Sequence, residues 1–127
     1  MDELSARAWL SALAHAWQTQ DADAMAALFT EDATEQVDPF ETPVRGREHL
    51  RKGFAWWMRD QGDIQIIFGN VDVIGARFYA EVDAAWRVAS TGEKIQERGL
   101  LVCDMAGDKV RAMREFWKTR KSLPPSA

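Results

Sequence analysis

The sequence predicts an α+β fold in which helices fill the first half of the chain and a curved antiparallel sheet the second. Apolar residues recur at helical spacing up to residue 61, and at every second position after Gly62. Turn residues at 75–76, 90–92 and 106–108 divide this second part into four long strands. The predicted order is ααβαββββ, in a single domain over residues 1–127.

Three helices are expected before the sheet. The first covers residues 4–18, with Asp2 placed to cap its start. A shorter helix follows Asp21 in ADAMAALF and should end near Thr30, where a short strand leads to Asp38. A third helix is predicted over residues 46–61, with an apolar stripe formed by Leu50, Phe54, Trp57 and Met58.

The four long strands are predicted at residues 63–74, 77–89, 93–105 and 109–119. The second alternates apolar and charged residues, which indicates one dry face. In the first strand both faces carry apolar residues: Ile67, Val71 and Val73 alternate with Ile64, Ile66 and Phe68. Because one of these faces needs cover, the pattern predicts a homodimer formed sheet against sheet. The tail SLPPSA is predicted to be loose.

Composition disfavours several classes of protein. The 16 basic and 20 acidic residues give a net charge of -4, so nucleic acid is not expected as a partner. The N-terminal segment is acidic and lacks a long apolar run, and a lone cysteine excludes an internal disulfide. We therefore expect a cytoplasmic protein without a membrane span. No metal-binding, dinucleotide or P-loop motif occurs, so no cofactor and no metal are predicted.

Asp38 is a candidate acid or base. It precedes Pro39, which favours an extended backbone, and its apolar neighbours Val37 and Phe40 would raise the carboxyl pKa. The alternative is an ordinary turn acid that accepts backbone hydrogen bonds. His49, near the start of the third helix, could relay protons at the mouth of a cavity.

Aromatic and acidic residues on faces predicted to point inward suggest a small-molecule cavity. Trp17, Trp57, Trp86 and Trp117 lie on such faces, although each ring could simply fill the core. Glu115 lies between Met113 and Trp117 in the strand alternation, and Glu97 is expected across from it. Two nearby carboxyl groups would raise one pKa; an ion pair with Arg98 or Arg114 is the alternative.

A family resemblance sharpens these expectations. The runs ALFTEDATEQVDPF, PVRGREHLRKGF and AGDKVRAMREFW resemble the nuclear transport factor 2-like superfamily, within it the polyketide cyclase (SnoaL-like) and ketosteroid isomerase-like branch. The resemblance implies a cone-shaped sheet wrapped around a deep cavity. Asp38-Pro39 matches the Asp-Pro pair that contains the proton-shuttling Asp of ketosteroid isomerases. The resemblance therefore implies this role for Asp38. The sequence departs from those enzymes at Leu13 and at Leu100 or Leu101, where a tyrosine and an acid would be expected.

Two classes of function remain open. The first is a cofactor-free isomerase, cyclase or hydratase that acts on a small apolar molecule with Asp38 and either Glu115 or His49. The second is a non-catalytic domain that binds a ligand or another protein. The residues expected to contact the ligand are Leu13, Trp17, Phe40, Phe54, Trp57, Trp86, Glu97, Leu101, Met113 and Trp117.

Overall fold

The computed structural model of the chain describes residues 1–122; most of the tail predicted to be loose lies outside them. Its helices are α1 (Glu3–Gln18), α2 (Ala22–Ala26) and α3 (Arg47–Met58). Its strands are β1 (Phe29–Gln36), β2 (Val44–Arg45), β3 (Gln61–Ile74), β4 (Arg77–Val88), β5 (Lys94–Ala106) and β6 (Lys109–Ser122). The α+β class and the predicted order are confirmed, with the two-residue strand β2 as an addition.

Helix α1 forms as its sequence predicts. The Asp2 side chain accepts a hydrogen bond from the Ser5 backbone N–H at 2.8 Å, which caps the helix. The buried stripe on one side of the helix consists of Ala6, Trp9, Leu10, Leu13, Ala16 and Trp17. This stripe faces the sheet, so α1 covers the core.

Helix α2 is shorter than predicted because Phe29 belongs to the sheet. The helix ends at Ala26, and Phe29 begins β1, where it is fully buried and pairs with Val110 of β6. Burial of a whole phenyl ring stabilises more than a further helical turn would. Tertiary packing therefore overrides the local helical pattern.

The six strands form one curved, open sheet in the order β2-β1-β6-β5-β4-β3. The four long strands pair antiparallel as predicted, whereas β1 lies parallel to β6. Helix α1 packs on β3 and α3 packs on β1, so both helices cover the inner face of the sheet. This arrangement encloses the core between the helices and the inner face.

The predicted alternation in β3, which puts Val71 and Val73 on the same face as Ile67, is wrong. The pairing of β3 with β4 shifts between Phe68 and Val71, which is the signature of a β-bulge. The shift turns Val71 and Val73 to the inner face, where they pack with Ile66 and Phe68 against the core. Of the three residues predicted to share a face, only Ile67 lies on the outer face, where it is 69% exposed.

Candidate functional site

A cavity of about 350 Å³ lies between the helices and the inner face of the sheet. It lies at the end of the sheet that carries Glu35, Glu97 and Glu115, which we call the wide end. This volume is within the range of about 300–1,000 Å³ that is typical of small-molecule sites. Its wall is formed by Leu13, Trp17, Met25, Glu35, Val37, Gly53, Phe54, Trp57, Ile66, Val82, Glu97, Leu101, Met113, Glu115 and Trp117. The wall is largely apolar and contains three glutamates.

The mouth of this cavity lies between α3 and the end of β1. The wall residues that solvent reaches most are Val37, Gly53 and Trp57, and Trp57 is 38% exposed. A larger open groove of about 1,150 Å³ lies elsewhere, beside Trp9. Its two acids, Asp2 and Asp108, are exposed, and Asp2 is occupied as a helix cap. The partly enclosed acids that could act on a ligand therefore lie in the smaller cavity.

Most of the residues predicted to contact a ligand line the cavity: Leu13, Trp17, Phe54, Trp57, Glu97, Leu101, Met113 and Trp117. Phe40 and Trp86 are not part of the wall. Phe40 lies after the end of β1 and is 96% exposed. Trp86 is buried behind the wall, where its ring packs against the rings of Trp17 and Trp57 at centroid distances of 5.8 and 5.7 Å.

Asp38 lies outside the cavity. It follows the wall residue Val37, is exposed, and accepts a hydrogen bond from the Phe40 backbone N–H at 2.9 Å. This geometry is that of an Asx turn, which is the structural alternative considered for this residue. His49 is also exposed and is not part of the cavity wall. The structure thus does not bring Asp38 or His49 to the glutamates, and their proposed roles in proton transfer stay predictions.

Glu115 is the most constrained acid of the cavity. The Trp117 indole N–H donates a hydrogen bond to its Oε1 at 3.1 Å. Its Oε2 is inaccessible to solvent and has no hydrogen-bond partner among residues 1–122. The side chain is only half-buried overall because its remaining accessible surface faces the cavity. One oxygen is therefore held by Trp117 and the other is enclosed, and the Glu35 carboxyl group approaches this carboxyl group to hydrogen-bonding distance.

The pKa of Glu115 is raised well above its ordinary value. Burial is the main cause, because it penalises the charged form, and the close approach of the Glu35 carboxyl group adds to it. The hydrogen bond from Trp117 acts in the opposite direction, and the charge of Glu97 raises the pKa further. Burial and the neighbouring carboxyl groups thus favour the neutral form of Glu115.

Glu97 lies in the same cavity but not directly across from Glu115. The pairing of β5 with β6 places Leu101 opposite Glu115 and places Glu97 opposite Thr119. Burial raises the pKa of Glu97. The alternative of an ion pair with Arg98 does not occur, because Arg98 binds Asp83 at 3.2 Å on the outer face.

Glu35 is a site residue that the sequence analysis missed. It lies on β1 beside Met113 of β6, which brings its carboxyl group to that of Glu115. A signal was available, because Ala33, Glu35 and Val37 share one face of the predicted strand. What the sequence did not show is that β1 pairs in parallel with β6, the last strand of the chain.

Gly99 was also missed. It pairs with Trp117 across β5 and β6, and a Cβ atom at this position would lie 2.2 Å from the Phe116 carbonyl oxygen and 2.7 Å from the Trp117 ring. A glycine inside a strand often marks such a close approach. Gly99 therefore allows the indole to lie flat on β5, where its N–H reaches Glu115.

The opposite wall is held by polar contacts behind the aromatic rings. The Trp17 indole N–H donates to Oε1 of the buried Gln61 at 2.7 Å, and the rings of Trp17 and Trp57 lie 4.8 Å apart. The Gln20 side chain donates to the carbonyl oxygens of Met58 and Gln61. These contacts join the end of α1 to the end of α3, so the cavity wall has a fixed shape.

The residues that the structure describes contain neither a metal-binding cluster nor a membrane-spanning helix. No group of three or more His, Cys, Asp or Glu side chains within residues 1–122 is placed to hold a metal ion. None of the helices in that part of the chain is long and apolar enough to cross a membrane.

Comparison with known proteins identifies the fold. An LEH-like epoxide hydrolase from M. tuberculosis superposes with a TM-score of 0.75 at 16% identity, over 91% of this chain and 84% of that one. The epoxide hydrolase/cyclase-like enzyme SalBIII, which acts in pyran ring formation in the polyether salinomycin, gives a TM-score of 0.79 at 20% identity, over 92% and 93%. A protein of ketosteroid isomerase-like fold from Catenulispora acidiphila, in complex with trimethylamine, gives 0.75 at 15% identity, over 85% and 83%.

No protein with a curated description matches the sequence. The model of the SnoaL-like domain, by contrast, matches residues 10–113, which is most of the chain. This match and the shared fold confirm the resemblance to the nuclear transport factor 2-like superfamily. The chain belongs to the SnoaL-like domain family.

Proposed function

We propose that the protein binds a small, largely apolar molecule in this cavity and transfers protons on it, with Glu115 as the acid and Glu35 as the base. The observation that carries the proposal is the approach of the Glu35 and Glu115 carboxyl groups to hydrogen-bonding distance in an otherwise apolar cavity. Two carboxyl groups this close favour a shared proton, which is the arrangement of an acid beside a base.

The chemistry follows from the two carboxyl groups. Trp117 holds Oε1 of Glu115, so the proton of the neutral acid resides on Oε2 and is given to a carbonyl or epoxide oxygen that replaces the Glu35 carboxyl group as its partner. In an isomerisation, Glu35 takes a proton from a carbon beside the carbonyl group and returns it to another carbon of the enol, while the enol oxygen returns its proton to Glu115. In the hydration of an epoxide, Glu35 takes a proton from water, whose oxygen bonds to a ring carbon as the ring C–O bond breaks and Glu115 protonates the leaving oxygen. A proton passed from Glu35 to Glu115 then restores the pair. Neither step needs a cofactor.

The similar structures include enzymes, but they do not identify the reaction of this chain. Two of the similar structures are an epoxide hydrolase and an epoxide hydrolase/cyclase-like enzyme, and the third holds trimethylamine. At 15–20% identity these likenesses show the fold alone. The acid, the base and the ligand are therefore proposed from this chain's own residues.

The test starts with a thermal-shift screen of small carbonyl and epoxide compounds, followed by turnover measurements on the compounds that bind. Glu115→Gln keeps the shape but removes the titrating proton, so we expect turnover to fall by about 10²- to 10⁴-fold. Glu31→Gln is the matched control, because Glu31 is an exposed acid on the same strand as Glu35. Full turnover by the Glu115→Gln variant would refute the proposed acid.

Two broader expectations are also kept as proposals. The homodimer now depends on a smaller outer patch, where Ile67 and Phe116 remain exposed. Sedimentation that gives a monomer at micromolar concentration would exclude it. A cytoplasmic location remains a proposal that fractionation of the producing cells would test.

A further inference from the structure

We propose that the ligand of this cavity carries a positively charged nitrogen, as a hydrophobic amine or a quaternary ammonium compound does. The inference rests on the proposed small-molecule site and narrows its ligand class. It is carried by the charge of the wall, by the lack of a basic partner for Glu35 and Glu115 among the wall residues that the structure describes, and by the arrangement of the aromatic rings.

The wall carries acids and no base. Glu35, Glu97 and Glu115 reach the cavity from three neighbouring strands, and no Lys, Arg or His is found among the wall residues that the structure describes. Within residues 1–122, no Lys, Arg or His side chain pairs with Glu35, Glu97 or Glu115; Glu115 accepts a hydrogen bond from Trp117 and lies within hydrogen-bonding reach of Glu35. The wall therefore attracts a cation and repels an anion.

Two acids on the outer face of the same sheet are paired with arginines. There Asp104 binds Arg77 at 2.6 Å, and Asp83 binds Arg98 at 3.2 Å. Arginines thus neutralise these two acids on the outer face, whereas no arginine lies among the cavity wall residues that the structure describes. The positive partner of the inner acids is expected to come from outside the protein.

Aromatic rings complete the recognition of a cation. Trp17, Trp57 and Trp117 line the cavity together with Phe54, and Trp57 lies at the mouth. The face of an indole ring attracts a cation within about 6 Å, and aromatic cages of this kind bind quaternary ammonium groups. A methylated or alkylated nitrogen fits such a wall better than a small, strongly hydrated ion does.

The cation is organic and not a metal ion. The three glutamates line one cavity, but they are not grouped closely enough to coordinate a single metal, as noted above for residues 1–122. A ligand of several atoms can instead reach more than one of them.

The direct test compares two probes of the same shape, phenyltrimethylammonium and its neutral isostere tert-butylbenzene, by calorimetry and tryptophan fluorescence. We expect the cation to bind about tenfold or more tightly than the isostere. Glu35→Gln and Glu115→Gln should each weaken binding of the cation but not of the isostere, because the ring contacts remain. Glu31→Gln should leave both affinities unchanged.

The other outcomes separate this inference from the proposed function. Binding of tert-butylbenzene as tightly as the cation would overturn the inference and leave the small-molecule site intact. Binding of neither probe would overturn the inference and count against the site itself. Binding of Mg²⁺ or Zn²⁺ alone, lost in both glutamine variants, would overturn it in favour of a metal site.

Proton release gives a second readout that a purely structural role would not change. Phenyltrimethylammonium carries no oxygen that could receive the proton of Glu115, and its positive charge favours the charged form of this acid, so binding of this probe should expel a proton and its affinity should rise with pH. The titratable groups that face Glu115 are Glu35, Glu97 and the buried Cys103 thiol, whose own pKa burial raises. Calorimetry in two buffers of different ionisation enthalpy should show release that Glu115→Gln removes. No release by the unmodified protein would overturn the inference.

Discussion

Two aromatic clusters on the inner face of the sheet are built from similar residues but differ in packing. At the narrow end, Trp9 meets Phe29 and Phe78 at centroid distances of 5.7 and 5.8 Å, and both phenylalanines are fully buried. At the wide end, Trp17, Trp57 and Trp117 surround a cavity of about 350 Å³. The first cluster is a packed core and the second is the wall of a site.

The difference comes from the residues between the rings. On β1 the inner position changes from Ala33 to Glu35, and on β6 it changes from Met113 to Glu115. On β5, Gly99 contributes no side chain at all. Carboxyl groups resist close packing with apolar groups, so the wide end does not close as the narrow end does, and Gly99 gives room to the Trp117 ring that lies against it. The same three strands thus provide both the core and the cavity.

The largest effect on stability is expected at the narrow end. Phe29→Ala removes a fully buried ring that contacts Trp9 and Phe54, so it should lower the free energy of unfolding by about 3–5 kcal/mol. Trp57→Ala removes a larger ring at the mouth, but this ring is partly exposed, and a smaller loss is expected. Urea unfolding measures both. Equal losses would show that the wide end is packed like the core.

The next largest effect on stability is expected at two glycines, Gly99 beside the Trp117 ring and Gly53 in the cavity wall. Gly99→Ala forces a Cβ atom against the Phe116 carbonyl and the Trp117 ring, so it should destabilise the protein by about 1–3 kcal/mol. Gly53→Ala meets no atom within 4 Å and lies inside α3, so it should stabilise by about 1 kcal/mol through helix propensity. Thermal unfolding gives the sign of each change. A neutral Gly99→Ala would show that Trp117 does not depend on this close contact.

A smaller effect is expected in the pH dependence of stability. The pKa of Glu115 is higher in the folded than in the unfolded chain, so its contribution is present below about pH 4.5 and is lost as pH rises towards the folded pKa. One proton gives a slope of at most about 1.4 kcal/mol per pH unit. Glu115→Gln should remove this slope, whereas Glu31→Gln should keep it. Urea unfolding between pH 4.5 and 8 tests the difference, and parallel curves for both variants would contradict it.

The smallest effect is expected at Asp38. Asparagine can accept the same hydrogen bond from the Phe40 backbone N–H, so Asp38→Asn should change stability by less than about 0.5 kcal/mol. Turnover on an identified substrate then tests the role suggested by the resemblance. Retained turnover would identify Asp38 as a turn residue. Abolished turnover would instead show that this exposed acid reaches the substrate from the mouth of the cavity.

The sequence alone determined the class of the fold, the order of its elements and most of the cavity wall. Helical and strand periodicities are local, so they identified α1, the four long strands and the inward position of Trp17, Met113 and Trp117. The alternation of Met113, Glu115 and Trp117, together with the family resemblance that places this face at the cavity, selected Glu115 as a candidate acid. These features depend only on which residues share one face of one element.

The tertiary structure alone decided which acids meet. Glu35 reaches Glu115 because the parallel pairing of β1 with β6 joins segments far apart in the chain, and no local pattern encodes that pairing. The bulge in β3 likewise turned Val71 and Val73 inward, since one extra residue reverses the faces of everything that follows. Asp38 was placed outside the cavity because its carboxylate closes a local turn at the end of β1.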